Sequence, residues 1–295
     1  MFNRVTIIGI GLLGGSLARD LRANALVQEL VGVCRSKETA DQALERGVVD
    51  VILPLELAIQ NADLIVLATP MQAMLPILEL IQKQIPERAI LTDVGSVKAQ
   101  LYAQLKAACP QLLKQFVLAH PIAGGENSGV QASKLELFKD KCVVITDTTE
   151  VSAQATETVY QMWAKLGARV STMSLREHDA IFANTSHLPH IIAFTLVNFL
   201  RQHKDTERLF EFAAAGFYDF TRIASSDAEM WRDICITNRD EILLALDGFK
   251  DQIGSIRSLV ADADQDDIFT YFGEAKQARD SGLLKKSESV KDRNT

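Results

Sequence analysis

Apolar positions in the first 173 residues come in short unbroken runs rather than in alternation. "RVTIIGIG" (4–11), "LVGVC" (30–34), "DLIVLATP" (63–70), "AILTDVG" (89–95), "FVLAH" (116–120), "KCVVITD" (141–147) and "ARVSTM" (168–173) each predict a strand buried on both faces. Between several of them lie stretches with apolar residues three and four apart, such as "GSLARDLRANA", "MLPILELIQKQI", "AQLYAQLKAA" and "ATETVYQMWAKLG", which predict helices. Strand then helix, repeated, implies right-handed crossovers and an α/β domain with a mainly parallel, doubly wound sheet. Past residue 174 the pattern changes. All seven prolines fall at or before Pro189, and segments such as "EILLALDGFKDQIGSIRSLV" (241–260) keep a helical period. The expected organisation is an α/β domain over 1–173, an all-helical domain over 174–284 and a frayed, disordered tail over 285–295.

One turn in this pattern carries chemistry. Gly9, Gly11 and Gly14, with Leu12 between the last two, form G-x-G-x-x-G after the first predicted strand and at the opening of the first predicted helix. The first glycine permits a tight turn, and the second lets a pyrophosphate approach the backbone. The third lets the helix pack on the strand, while the helix N-terminus favours an anion. Plain structural turns use glycines too, but strand, motif and helix coincide here, which favours dinucleotide binding and a Rossmann-like domain. The second strand ends in "GVCRSKET", without the Asp or Glu that holds a ribose 2′-hydroxyl in NAD enzymes. Arg35, Ser36 and Lys37 suit a 2′-phosphate through charge-assisted hydrogen bonds, so NADP is favoured over NAD. The plainer alternative for these three is an exposed polar loop ahead of a helix.

Composition narrows the class. With 31 basic against 38 acidic side chains the net charge is −7, which disfavours a nucleic-acid or anionic-membrane partner. Cys34, Cys109, Cys142 and Cys235 lie far apart with no C-x-x-C pair, so reduced thiols are expected rather than a disulfide or zinc framework. The N-terminus lacks the sections of a signal peptide, and no apolar run approaches the roughly 18–20 residues that cross a bilayer. A soluble, cytoplasmic chain is expected.

In an open parallel sheet, ligands bind beyond the carboxyl ends of the strands. Thr69-Pro70, Asp93-Val94-Gly95-Ser96 and His120-Pro121 each follow a predicted strand, and all three should meet at that edge. In the helical half His178, His187 and His190 fall within thirteen residues, but no recognisable metal-ligand set completes them and no metal is expected. His187 and His190 share a face if their segment is helical, with the helix expected to start near Pro189. Asp219 and Arg222 stand three apart on a predicted helix, flanked by Phe217, Phe220 and Ile223. They form either a surface ion pair or a partly buried guanidinium suited to a carboxylate. Trp231 is a core aromatic or lines the cleft.

Five segments in this order, "GIGLLGGS", "DVGSVK", "HPIAGGENSG", "SHLPH" and "GFYDFTRIASSDAEMWRDI", resemble the prephenate dehydrogenase family, which includes arogenate and broad cyclohexadienyl dehydrogenases of tyrosine biosynthesis. The resemblance spans about residue 4 to about residue 270. It implies oxidative decarboxylation of a cyclohexadienol: hydride leaves the carbon bearing the hydroxyl, the ring carboxylate departs as CO2, and the ring becomes aromatic. It gives His120 the reacting hydroxyl and its proton, a task suited to an ordinary imidazole pKa of about 6.5. Ser96 would orient His120 beside the nicotinamide; capping a helix that begins at Val97 is its plainer role. Substrate-binding positions implied are His190 with His187 in support, Arg222 on the ring carboxylate, Asp219 and Trp231 near it, and Glu126 at the cleft mouth. Cofactor positions are the glycine turn, Arg35, Ser36, Lys37, Thr69, Pro70 and Ser96.

By the same resemblance, 1–173 is the dinucleotide-binding domain and 174–284 binds substrate and forms a homodimer. Neither an N-terminal chorismate mutase nor a C-terminal regulatory ACT domain is expected. Three rivals remain. A β-hydroxyacid dehydrogenase would need a lysine where "SHLPH" stands. A 3-hydroxyacyl-CoA dehydrogenase has no use for Arg222, and a non-catalytic NADP-binding regulator has none for Ser96, His120 and Arg222 together. The motifs do not separate the pyruvyl substrate, prephenate, from the alanyl one, arogenate.

Overall fold

The computed structural model describes every residue except 126 and 292–295, and for residues 283–291 the backbone alone. It comprises two compact units, residues 1–242 and 243–295. The sheet and the first helices after residue 174 lie in the same unit, because hydrogen bonds cross that boundary from both sides.

Six strands, β1 (Phe2–Ile8), β2 (Val27–Val33), β3 (Val51–Ile52), β4 (Leu64–Leu67), β5 (Ile90–Asp93) and β6 (Phe116–Val117), form a parallel sheet in the order β3-β2-β1-β4-β5-β6. The order reverses between β1 and β4, which opens a crevice at their carboxyl ends. The uninterrupted apolar runs are what this sheet requires, since helices cover both faces. Helices Leu12–Ala23 and Ala153–Lys165 bury Leu17, Leu21, Val159 and Trp163 on one side. Helices Met71–Ile81 and Ala99–Ala108 bury Met74, Leu78, Leu101 and Leu105 on the other.

The run 116–120, expected as one strand, is split. After Leu118 the chain leaves the first sheet, and β7 (Ala119–Pro121) pairs antiparallel with β8 (Cys142–Asp147), which runs parallel to β9 (Arg169–Ser174). Asp93, at the end of β5, holds the departing chain: its Oδ1 accepts from the Ala119 N–H at 3.1 Å. Its Oδ2 accepts from the Gly95 N–H at 2.8 Å and pairs with the Lys98 ammonium. Both side chains of that pair are fully buried. Gly95 is required there, because an added Cβ would lie 2.4 Å from Met71 Sδ and 2.9 Å from Asp93 Oδ2.

The histidine-rich segment does not begin a helix. Leu175–Phe182 and Leu188–Arg201 are joined by a π turn over Ala183–His187 into one continuous helix. Pro189 has no N–H and its ring crowds the preceding turn; the wider π turn just before it accommodates both, so the helix passes through. An 18-residue window of this 27-residue helix has a mean hydropathy of 1.3. The helix is therefore long and apolar enough to cross a bilayer by length and composition alone, although polar residues interrupt it throughout and no unbroken apolar run of that length occurs. Its His178, Asp179 and His187 are buried within the protein, and they anchor it to the fold.

The helix Gln265–Lys291 runs through most of the tail expected to fray, a stretch with no Pro or Gly to stop it, while 292–295 lie outside the described residues. The unit formed by 243–295 leaves Leu244, Val260, Phe269 and Phe272 exposed in the single chain.

The buried Asp93–Lys98 pair generates the first prediction. Lys98→Met leaves the Asp93 carboxylate without its cation and should cost about 3–5 kcal/mol of stability. Urea unfolding measures it; a loss under about 1 kcal/mol would mean that the pair does not hold the strand switch together.

Candidate active site

The glycine turn has the shape of an anion cradle. Gly9 sits at φ +99°, and an added Cβ would lie 2.5 Å from Ala68 O; at Gly14 it would lie 2.1 Å from Gly9 O. Neither position admits a side chain. An added Cβ at Gly11 meets nothing within 4 Å, so the approach there is open. Gly11 is also the N-cap of the Leu12–Ala23 helix and supplies no side-chain cap, which leaves first-turn N–H groups available to an anion. Thr69 Oγ1, next to this turn, is buried without a partner. These features fit the pyrophosphate of a dinucleotide. Leu12 is partly buried against the core, and Pro70 opens the Met71–Ile81 helix. Arg35 and Lys37 are exposed at the end of β2. The Ser36 hydroxyl is committed to its own helix, accepting from Thr39 N at 3.1 Å and donating to Thr39 Oγ1 at 2.8 Å.

His120 stands mid-way along β7 and is 9% exposed. Its Nδ1 lies 2.8 Å from Nε2 of His178, whose Nδ1 donates to Asp179 Oδ1 at 2.7 Å. Asp179 in turn accepts from the backbone N–H groups of Lys98 (2.9 Å) and Ala99 (2.8 Å). Asn238 donates to the Asp179 carbonyl at 2.9 Å and lies 3.1 Å from His187 Nδ1. His190 donates from Nδ1 to Ser186 O at 2.8 Å and stacks on Trp231 with ring centroids 4.0 Å apart. Trp231 is buried, and its ring also meets His187 edge-on at 6.1 Å.

Burial keeps these imidazoles neutral. His120 is pushed well below its ordinary 6.5, first by burial and then by His178, Lys98 and His187. His178 is lowered by burial against the opposing pull of Asp179. His187 is lowered to about 4, chiefly by burial. His190 is lowered by burial, with the Arg222 charge adding to the effect and the Ser186 hydrogen bond opposing it.

Several expected placements need correction. Ser96 is half-buried, yet among the described residues no hydrogen bond joins it to His120, whose Nδ1 is taken by His178. Ser96 caps no helix either: that helix starts at Ala99, and Asp179 from another element caps it. Arg222 is exposed rather than partly buried, and begins a 3₁₀ turn after the Ala215–Thr221 helix. Asp219 is exposed. Glu126 lies outside the described residues. Sequence reasoning missed the roles of Lys98, Asp179 and Asn238, and considered His178 only as a metal ligand. The signal available was "REHDA" standing one helical stretch ahead of "SHLPH".

Comparison with known proteins identifies the family. Residues 17–172 match the family model described as prephenate dehydrogenase, nucleotide-binding domain, and residues 174–274 the one described as prephenate dehydrogenase, dimerization domain. The chain belongs to the prephenate dehydrogenase family. Within that family it is 35% identical to the prephenate dehydrogenase of Bacillus subtilis, covering 98% of this chain and 79% of the relative. It is 32% identical to the cyclohexadienyl dehydrogenase of Zymomonas mobilis, covering 95% and 96%. The solved structure of Aquifex aeolicus prephenate dehydrogenase in complex with hydroxyphenyl propionate and NAD+ matches at TM-score 0.89 and 33% identity, over 95% of this chain and 98% of that one.

The neutral imidazoles give this prephenate dehydrogenase family member an acid-sensitive fold. Unfolded His187 titrates near 6.5, and in the fold it titrates at about 4. Between those values the unfolded chain binds more protons, so stability falls as pH drops from 6.5 towards 4. His187 alone contributes about 3 kcal/mol to that fall, and His120 and His178 act in the same direction. Urea midpoints at about pH 7 and about pH 4.5 should differ accordingly, with His187→Asn flattening the dependence. Equal midpoints for the unsubstituted protein would contradict the assignment.

Proposed function

We propose that this chain oxidatively decarboxylates prephenate or arogenate with hydride transfer to a nicotinamide dinucleotide, giving 4-hydroxyphenylpyruvate or tyrosine. The observation that carries the reading is His120, a buried neutral imidazole on β7, which Asp93 holds at the carboxyl end of β5 in the glycine-cradle domain. When bound, the nicotinamide accepts the hydride from the hydroxyl-bearing ring carbon. His120 removes the hydroxyl proton as that carbon becomes a carbonyl. Loss of CO2 then aromatises the ring, and His120 returns the proton to the phenolic oxygen. Because the imidazole is neutral before the step, it is ready to act as a base at neutral pH. His190 has its Nδ1–H committed to Ser186 and offers Nε2 to a substrate hydroxyl or amine. Arg222 lies close enough to His190 for its charge to be felt there, and binds the ring carboxylate.

NADP is the proposed preference, supported by a β2 end that has Arg35 and Lys37 exposed and no carboxylate among Cys34, Arg35, Ser36 and Lys37. A homodimer through the helical half is proposed from the match to the dimerization domain and from the exposed Phe269 and Phe272. The free cysteines suit a reducing cytoplasm.

Incubating the protein with each of prephenate and arogenate and each of NADP and NAD, and following the reduced-nicotinamide absorbance, tests the reading; no signal in any of the four combinations would end it. His120→Asn should lower kcat by roughly 10²–10⁴ with cofactor binding retained. Arg222→Ala should raise the substrate KM roughly 10–100-fold. Equal loss of cofactor affinity in both variants would point to unfolding instead. Arg35→Ala should cut kcat/KM for NADP by roughly tenfold or more while leaving NAD within about twofold. Equal effects on both cofactors would remove the proposed preference.

A further inference from the structure

We propose that His178 and Asp179 fix His120 as its Nδ1–H tautomer, so that Nε2 is the nitrogen that takes and returns the substrate's proton. The inference deepens the dehydrogenase reading and rests on it.

The chain of donors and acceptors leaves one consistent assignment. A carboxylate accepts and does not donate, and the Asp179 oxygens already receive two backbone N–H groups. His178 therefore donates to it from Nδ1. A neutral imidazole carries one N–H, so His178 Nε2 is a bare acceptor. That bare nitrogen lies 2.8 Å from His120 Nδ1, and two lone pairs cannot face each other at that distance. His120 must then carry its hydrogen on Nδ1, and its Nε2 is left bare. Protonating His178 instead would place a second cation beside the buried Lys98, in a residue with 0% exposure. The other ionisable groups that bear on the pair, His187 and Asp93, leave this order unchanged.

The relay is anchored independently of the ligand. Asp179 is pinned at both carboxylate oxygens, and its carbonyl is held by Asn238. Phe182 packs edge-on to the His120 ring at 4.8 Å and tilted against His178 at 4.6 Å, which restricts rotation of both rings. Without His178 a buried imidazole has two tautomers, and one of them presents an N–H where the substrate hydroxyl needs a lone pair. His178 and Asp179 reach the substrate only through His120, so both are positioning residues.

The tautomer can be read directly by ¹⁵N–¹H NMR of the full chain with labelled histidine. The expected pattern is Nδ1–H with bare Nε2 for both His120 and His178. His178→Leu removes the acceptor and should move His120 towards the Nε2–H form. The same substitution should lower kcat roughly 10–100-fold while substrate and cofactor KM stay within about twofold. His178→Gln, whose amide oxygen can accept from His120, should recover most of that loss. An Nε2–H tautomer for His120 in the unsubstituted protein would overturn the proposal, as would wild-type kcat in His178→Leu. Should His178→Leu fail to fold, the tautomer in the unsubstituted protein still decides. If neither prephenate nor arogenate is oxidised, the dehydrogenase reading fails, while the NMR pattern separately accepts or rejects the relay.

Discussion

The Asp179 carboxylate accepts from the backbone of Lys98 and Ala99 and from His178, and so joins three tasks in one group. It caps the Ala99–Ala108 helix, which has no side-chain cap of its own. It ties the long helix after residue 174 to the edge of the parallel sheet. Through His178 it sets the environment of His120. A buried carboxylate is tolerable only when its oxygens are paired, and here every partner is an element of the site. Stability and the geometry of the proton acceptor therefore depend on the same hydrogen bonds.

A second buried carboxylate works beside it. Asp93 holds the Lys98 ammonium and the N–H groups of Gly95 and Ala119, which fixes where the chain leaves the first sheet and enters β7. Burial pushes the Lys98 pKa down while Asp93 opposes it. Its retained charge is one reason the neighbouring imidazoles resist protonation. The site thus holds neutral imidazoles at the cost of acid sensitivity, because any state that exposes them to water binds protons more readily than the fold does.

What was legible in the sequence follows from how local each feature is. The glycine turn was readable because Gly9, Gly11 and Gly14 must be contiguous to shape one loop. The parallel sheet was readable because strands covered on both faces leave unbroken apolar runs. His120 could be singled out by its place after a strand, but its partner could not: His178 lies 58 residues away, and no spacing rule links the two. The split of 116–120 was hidden because a strand in either sheet demands the same buried residues. The passage of the helix through Pro189 was hidden because a π turn leaves no compositional mark. Ser96 looked like a cap because serine usually is one, whereas the actual cap, Asp179, comes from a separate helix. Apolar neighbours left a surface and a partly buried Arg222 guanidinium both open, because neighbours in sequence do not fix which way a 3₁₀ turn faces.

The proposed chemistry divides between these environments in a way that bears on substrate choice. His120, proposed to handle the proton, and His178 and Asp179, proposed to position it, are buried and rigidly paired. The groups assigned to recognition are less enclosed: His190 is half-buried and Arg222 exposed. Prephenate and arogenate share the ring hydroxyl and ring carboxylate on which the bond changes occur, and they differ only in a side chain that takes no part in them. A buried proton relay aimed at the hydroxyl cannot distinguish the two. Discrimination must come from the residues that meet that side chain, because a pyruvyl ketone and an alanyl ammonium present opposite hydrogen-bonding character. The relay can therefore serve either substrate unchanged, and preference for one is a property of those residues.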